Sequence, residues 1–496
     1  MNERGKSDGP VVPAKPLNNA AEAVAEVVEE RGPAGGNAAS QTRPGHRAGQ
    51  DAPSELDRVR EVARKDKDAR FSALLHHVTI DRLRMAYRAL SPKAAPGVDE
   101  VTWGAYGQDL EASLRDLHAR LHRGAYRAKP TRRVHIPKAN GGLRPLGIAA
   151  LEDKIVQRCV AEVLSAIYEQ DFVGFSYGFR PGRSAHDALD ALSVAITRRK
   201  VRWVLDADLR GFFDTIDHSW MIRLLEHRIA DKRILRLVSK WLRAGVIEQG
   251  IRTVSDQGTP QGATISPLLA NVYLHYVLDL WVGQWRRRHA HGDVIIVRYA
   301  DDFIVGFQHR DDAQRFLDDL RRRLAQFALE LNDDKTRLIE FGRFAAVDRA
   351  ARGLGRPETF GFLGFTHACA KTKSGRYMVK RITISKRMRA KLREVKASLM
   401  ARRHLPIPEQ GRWLASVLRG HFAYFAVPAN SNAIRGFRDQ AIRHWLHALR
   451  RRSQRSRLDW TRMGRLAARW LPTVRITHPW PAARFDAKTL GRSPVR

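Results

Sequence analysis

Cysteine is scarce in this sequence, with two in 496 residues, Cys159 and Cys369, far apart along the chain. That spacing excludes a CxxC-type zinc site and argues against a disulfide framework. No zinc is expected, and a reducing cytoplasm is the default location. Long apolar runs are missing as well. No stretch approaches the roughly 18 to 20 uncharged apolar residues of a membrane span. The N-terminus, MNERGKSDGP, lacks the apolar core of a secretory signal. Acidic residues are also few: 52 Asp and Glu stand against 88 Lys and Arg, a formal net charge of +36.

Such an excess favours a polyanionic partner, because each Lys or Arg that neutralises a phosphate releases a counterion. A membrane surface would call for a basic amphipathic helix with its apolar face free for lipid. Here the basic residues are spread over the whole chain, so nucleic acid is the expected partner and membrane is not. The 43% hydrophobic content is that of a soluble globular protein. The length allows two to four units with a sizeable core.

Residues 1–53 are rich in Ala, Gly, Pro, Asn and Gln and read as a disordered tail. From Ser54 the pattern turns helical: SELDRVREVARK opens with a Ser N-cap and acidic residues in the first turn. IDRLRMAYRAL is a second helix, and AAPGVDEVTW reads as turn and loop. RRVHIPKANGGLRPLGIAA (132–150) has the pattern of a β-hairpin about Asn140-Gly141-Gly142. VRWVLDADL (201–209) alternates like a strand. EQGIRTVS is a short β segment before the loop GTPQGATISP (258–267), which runs into the helix LLANVYLHYVLDLWV. VIIVRYADDFIVGF (294–307) predicts two apolar strands about an acidic turn. RDDAQRFLDDLRRRLAQFALEL predicts an amphipathic helix, and TFGFLGFTHA (359–368) another strand. After about 384 the strand signals stop. In SNAIRGFRDQAIRHWLHALRRR, residues Ile434, Phe437, Ile442, Trp445 and Leu449 share one helical stripe. The last 126 residues carry 31 Lys and Arg against 5 Asp and Glu.

Phosphoryl transfer onto a growing 3′ end uses two Mg²⁺ about 3.5 to 4 Å apart. Mg²⁺ favours carboxylate oxygens while retaining water and phosphate ligands. Such chemistry therefore needs two or three Asp side chains on rigid strands. Asp301 and Asp302 sit at the turn of the predicted hairpin. Asp206 and Asp208 lie on VLDADL, where alternation puts both on one strand face. An Asp pair in a turn is weak by itself, since Asp is common in turns.

The ordered set of motifs is specific. RVHIPKANGGLRPLGI, SYGFRPGRSAHDAL, WVLDADLRGFFDTIDH, GTPQGATISPLLANVYLH, VRYADDF, ELNDDKT and FGFLGF follow one another as in group II intron reverse transcriptases. The sequence resembles that family from about residue 70 to its end. The resemblance implies an α+β fold: a right-hand polymerase with fingers and an antiparallel palm sheet (54–384). An all-α thumb or maturase domain (385–471) and a short basic tail (472–496) follow. It implies an RNA-directed DNA polymerase that uses two Mg²⁺, with intron RNA, a DNA primer or target, and dNTPs as partners.

Residue by residue, Asp208 matches the first metal-binding Asp in the pattern D-x-x-x-x-F, and Asp206 matches a variable position. Asp301 and Asp302 match the hairpin pair. Phe213 matches the bulky gate under the sugar that rejects a 2′-OH, while its neighbour Phe212 reads as core. Lys138 and Arg144, flanking the Gly-Gly turn, match the residues that bind the incoming triphosphate, a point charge and a bidentate fork. Gln261 matches the residue near nucleotide and template, with Gly258 and Gly262 allowing close backbone approach. Lys335 matches a lysine that protonates the pyrophosphate leaving group. Arg180 and Arg183 are expected on the template backbone.

GHFAYFAVPANSNAIRGFRDQAIRHWLHALRRRSQ carries the likeness to the maturase region, which in the family binds intron RNA and assists splicing. Arg450, Arg451, Arg452, Arg455 and Arg457 are its expected RNA contacts. Many family members end in an endonuclease with two Cys pairs and an H-N-H pattern, which this sequence does not carry. Second-strand nicking is therefore not expected. Two alternatives stay open: an RNA-binding splicing factor with a relic polymerase, and a retron- or CRISPR-type polymerase recruited to other work.

Overall fold

The structure, a computed structural model, describes residues 55–137, 143–248, 251–253, 256–259, 262–453 and 458–489. The expected N-terminal tail, the turn 140–142, Lys138, Gln261, Arg455 and Arg457 lie outside the described residues.

Eleven strands are described: β1 (Thr131–Pro137), β2 (Leu143–Ile148), β3 (Trp203–Ala207), β4 (Val246–Glu248), β5 (Ile251–Thr253), β6 (Val294–Tyr299), β7 (Asp302–Phe307), β8 (Arg337–Glu340), β9 (Phe360–Phe362), β10 (Phe365–Lys371) and β11 (Tyr377–Thr383). They form three sheets, ordered β2-β1-β4-β5, β6-β7-β3-β8 and β11-β10-β9. With the helices this is an α+β fold. The hairpin foreseen at 132–150 is β1–β2, antiparallel from Arg132↔Ile148 to Pro137↔Leu143.

The central sheet β6-β7-β3-β8 is antiparallel throughout. β6 and β7 are almost wholly buried, as strands covered by helices are. Helix Ala185–Arg198 packs on β6, and helix Arg310–Ala325 packs on β3 and β7. The first of these helices opens with a capping box between Ser184 and Asp187. The segment read as LLANVYLHYVLDLWV is helical from Ser266 to Arg288. A π-helical turn at His275–Asp279 interrupts it.

Three sequence readings need correction. TFGFLGFTHA is two strands rather than one. Leu363 and Gly364 adopt φ of +46° and +83°, which folds β10 back on β9 with Phe365 opposite Phe362. Trp103, read as loop, opens a short helix whose N-cap, Thr102, accepts from the amide of Ala105. The last segment contains the helix Pro481–Thr489, which buries Phe485 and lies along helix Ala185–Arg198. Lys488 pairs with Asp187 at 2.8 Å, Arg484 with Asp190 at 2.5 Å and Asp486 with Arg198 at 2.6 Å.

After β11 the described chain is helical: Ser385–Ala401, Ile407–Phe425, Ser431–Arg450, Trp460–Trp470 and Pro481–Thr489. The stripe Ile434, Phe437, Ile442, Trp445 and Leu449 is buried, and Trp445 donates its indole N–H to Gln410 Oε1 at 3.0 Å.

Candidate active site

The central sheet brings separate acidic segments to one edge. β3 pairs antiparallel with β7 up to Ala207↔Phe303. One step further along each strand sets Asp208 beside Asp302, the first residue of β7. Asp301 precedes it in the two-residue turn that joins Tyr299 to Asp302. Three carboxylates from two segments about 90 residues apart in sequence thus share one end of a rigid sheet.

Their partners differ. Asp208 Oδ2 accepts from Lys335 Nζ at 2.6 Å and from Asn332 Nδ2 at 3.3 Å. The motif ELNDDKT delivers both, because Asn332 N donates to the Asp208 carbonyl at 2.8 Å. The turn then closes with Lys335 N and Thr336 N donating to the Asn332 carbonyl. Asp206 points at Arg337 Nη2 at 3.7 Å, its cross-strand partner on β8. Burial raises the Asp206 carboxyl to about 6 while Arg337 opposes the rise. This ion pair separates Asp206 from the set, in line with its variable position in the motif.

Asp302 is pushed up to about 7, first by desolvation and then by the carboxylates of Asp301 and Asp208, with Arg387 and Lys335 pulling the other way. The side chain is nonetheless exposed to solvent. It stands in a cleft walled by protein yet open to water, so solvent screens both the burial and the repulsion behind this rise. Among the described residues no three His, Cys, Asp or Glu side chains form a ready-made metal cage. The fit to divalent cations rests on the donor set: three carboxylates offer hard-oxygen donors at one end of the sheet, one of them hydrogen-bonded to a lysine ammonium.

Around this edge the other residues fall into place unevenly. Phe212 is buried and Phe213 half-buried in the short helix Phe212–Thr215, entered through Gly211 at φ +55°. Thr259 N donates to the Phe213 carbonyl at 2.7 Å and Gly258 N to that of Ile216 at 2.8 Å. Gly262, at φ +103°, touches β2 so closely that a Cβ would lie 2.6 Å from Leu146 Cδ1. The glycine loop thus links the Phe213 helix to the β1–β2 hairpin. A cavity of about 400 Å³ opens there, lined by Arg133, Pro145, Gly147, Asp214, Gln257 and Gly258 among others. Arg144 lies on β2 opposite Ile136.

Arg180 does not reach solvent. Its side chain is buried against Glu169 at 2.9 Å and donates to the carbonyls of Val173 and Ser176 at 2.8 Å. The expected template contact is therefore corrected: a guanidinium enclosed with a carboxylate braces the fold. Arg183 is half-buried, donating to the Gly174 and Ser176 carbonyls at 2.5 and 3.3 Å. Arg450 and Arg451 are exposed; Arg450 donates to the Leu458 carbonyl at 2.8 Å. Arg452 is half-buried and holds the Leu405 carbonyl at 3.2 Å.

Sequence reasoning missed Asn332, although it lies inside a recognised motif. It also missed Arg387, an exposed residue of helix Ser385–Ala401 whose charge acts on Asp302 across a long sequence gap. One arginine among many gives no signal of that kind.

Residues 136–367 match the reverse transcriptase (RNA-dependent DNA polymerase) family. The chain is 37% identical over 315 residues to Protein YkfC of Escherichia coli (strain K12), a match covering 56% of this chain and 81% of that protein. It is 35% identical over 235 residues to Group II intron-encoded protein LtrA of Lactococcus lactis subsp. cremoris, covering 47% of this chain and 39% of that protein. It is 28% identical over 397 residues to Putative COX1/OXI3 intron 1 protein of Saccharomyces cerevisiae, covering 70% of this chain and 46% of that protein. Fold, site and likeness define an RNA-directed DNA polymerase. The chain belongs to the group II intron reverse transcriptase/maturase family. Its partners are nucleic acid and nucleotides, and divalent metal ions serve the family's reaction. No described helix is long and apolar enough to cross a membrane.

Proposed function

We propose that this protein copies intron RNA into DNA in the cleft at Asp208, Asp301 and Asp302, and that it binds the same RNA to assist splicing. The observation that carries the reading is the convergence of Asp208 with the Asp301–Asp302 turn, where desolvation and then repulsion from the other two carboxylates raise Asp302. The sheet β2-β1-β4-β5 serves as fingers, the central sheet with β9–β11 as palm, and the helices of 385–471 as thumb. Residues 472–496 are a C-terminal extension. The protein acts in the cytoplasm.

Asp208, Asp301 and Asp302 would hold two Mg²⁺, which when bound supply the charge that lowers the barrier to attack by the primer 3′ oxygen and steadies the leaving group. The rigid β3–β7 pair fixes the carboxylates relative to one another, so the geometry is set before substrate arrives. Lys335 holds its ammonium at the edge of the site, hydrogen-bonded to Asp208 at 2.6 Å. There it can hand a proton to departing pyrophosphate. Phe213 presents a ring beside the sugar position and rejects a 2′-OH by contact. Arg144 takes the incoming nucleotide, and Lys138 and Gln261 share that role by the resemblance. Arg387 faces the acidic edge from the thumb and suits a primer phosphate. Arg450, Arg451 and Arg452 form a basic end of the thumb that takes the RNA backbone, a role that Arg455 shares by the resemblance.

Asp301→Asn tests the polymerase. Primer extension on an RNA template should be abolished while RNA binding survives, and unchanged extension would refute the site. Adding the purified protein to its precursor RNA at low Mg²⁺ tests the splicing role. No stimulation would leave only the polymerase.

A further inference from the structure

The turn that carries Asp301 is strained and buttressed from behind. Of its two loop residues, Ala300 adopts φ +56°. A residue with a Cβ enters that region at a cost of roughly 1 to 2 kcal/mol. Arg298, on β6 two residues before, is fully buried and answers this strain. Its Nη1 donates to the Ala300 carbonyl at 3.0 Å and to Asn271 Oδ1 at 3.0 Å. Its Nε and Nη2 grip Asp279 Oδ1 and Oδ2 at 2.7 and 2.5 Å. Asp279 ends the π-helical turn of the long buried helix, and Asn271 sits two turns earlier. A π-helical turn in a long helix is a recurrent sign of a functional constraint.

Asn271 Nδ2 donates in turn to the Gly178 carbonyl at 2.8 Å. Gly178 lies against the catalytic turn so tightly that a Cβ there would stand 2.2 Å from Ala300 N. Tyr177 N and Arg298 N complete the seam by donating to the Arg298 and Phe175 carbonyls at 2.9 Å. Ala300, which leads into Asp301, is thus held at its carbonyl by a guanidinium and packed at its own amide against Gly178. Both supports lie on the face of the turn away from solvent.

We propose that Arg298 is a positioning residue for the catalytic carboxylates, with Asp279 and Asn271 as its anchors, a role that rests on the site assignment above. A planar fork satisfies Asp279, Asn271 and the Ala300 carbonyl together, whereas a lysine ammonium lacks the five-donor geometry to do so. Arg298→Lys retains the buried positive charge beside Asp279 but releases the turn. Displacement of Asp301 by a fraction of an ångström acts on the chemical step and on divalent-ion binding, and leaves template and dNTP contacts in place.

The experiment is steady-state primer extension by the full chain on an RNA template, titrated with MgCl₂, with RNA binding measured in parallel. Arg298→Lys should lower kcat by at least about tenfold and raise the Mg²⁺ midpoint severalfold. The dNTP KM and RNA affinity should stay within about twofold of the parent, a range set by ordinary non-additivity. Ala300→Gly in that background relieves the left-handed strain and should recover part of kcat. If Arg298→Lys does not fold, Asn271→Ala, which leaves the Arg298–Asp279 pair intact, should show the same kcat and Mg²⁺ pattern more weakly. A folded Arg298→Lys or Asn271→Ala with parental kcat and Mg²⁺ midpoint overturns the proposal. So does a loss matched by an equal loss of RNA binding. Asp301→Asn run alongside separates the failures: if it extends primers normally the site assignment falls, and if it is dead while Arg298→Lys is parental only the positioning role falls.

Discussion

Asp302→Asn should make the metal-free protein more stable at alkaline pH. In the unfolded chain this carboxyl ionises near its ordinary 3.8, and in the folded protein burial, Asp301 and Asp208 push it up to about 7. The folded state therefore holds the proton more tightly. Below about pH 4 both states are protonated and Asp302 costs nothing. Between pH 4 and 7 the cost grows as pH rises, and above pH 7 it is fully present. At about 1.36 kcal/mol per pH unit the upper bound is about 4 kcal/mol. The side chain is exposed, so water screens the repulsion severalfold and about 1 kcal/mol is the expected gain on neutralisation. For a chain of this size that corresponds to a rise in Tm of about 1 to 2 °C. The assay is thermal melting of parent and Asp302→Asn in EDTA from pH 4.5 to 8.5, repeated with excess Mg²⁺. The variant should melt higher at pH 8, converge on the parent by pH 4.5, and gain less from Mg²⁺ than the parent does. A variant that melts lower at pH 8 in EDTA, or equal stabilisation of both proteins by Mg²⁺, would refute the account of the site as a crowded carboxylate cluster awaiting cations.

Other consequences are more direct. Phe213→Ala should admit ribonucleotides, seen as rNTP incorporation in primer extension; continued strict dNTP use would count against the gate. Arg180→Ala should destabilise by about 3 to 5 kcal/mol, because it removes the guanidinium that balances the buried Glu169 carboxylate. The measurable sign is poor solubility or a large fall in Tm, not a change in the salt dependence of RNA binding. Asp190→Asn strips the counter-charge from Arg381 at 2.7 Å and Arg484 at 2.5 Å, uniting β11 with the C-terminal helix. It should lower Tm and shorten cDNA products, and full-length products at parental yield would argue that this junction does not steady the thumb.

Much of the site was legible in sequence because it is written in short local patterns. An acidic pair in a turn between two apolar runs, a lone Asp ending a strand and a glycine loop opening a helix each depend on neighbours within ten residues. Their order along the chain then pointed to one family. The buried stripe of helix Ser431–Arg450 was legible for the same reason, since helical periodicity repeats over a few turns.

Residues whose role depends on a partner outside their own motif were not legible. Arg180 and Arg298 look alike in sequence as basic residues inside motifs, and both turn out to be enclosed. Their partners are Glu169 in one case and Asp279 in the other. Asp206 and Asp208 alternate onto one strand face, yet β8 sets Arg337 opposite the first, and the turn at Asn332 folds Lys335 onto the second. The C-terminal segment read as a basic tail because its charges were counted without their partners on helix Ala185–Arg198: Asp187 for Lys488, Asp190 for Arg484, and Arg198 for the segment's own Asp486. Sequence by itself pointed to the nucleic-acid partner through charge, and through the resemblance of its ordered motifs to the α+β class and the polymerase chemistry. Only the tertiary structure decided which charges face the cleft and which are sealed behind it. Whether an arginine is worth more to a phosphate or to a buried carboxylate depends on what the fold has placed within about 3 Å of it.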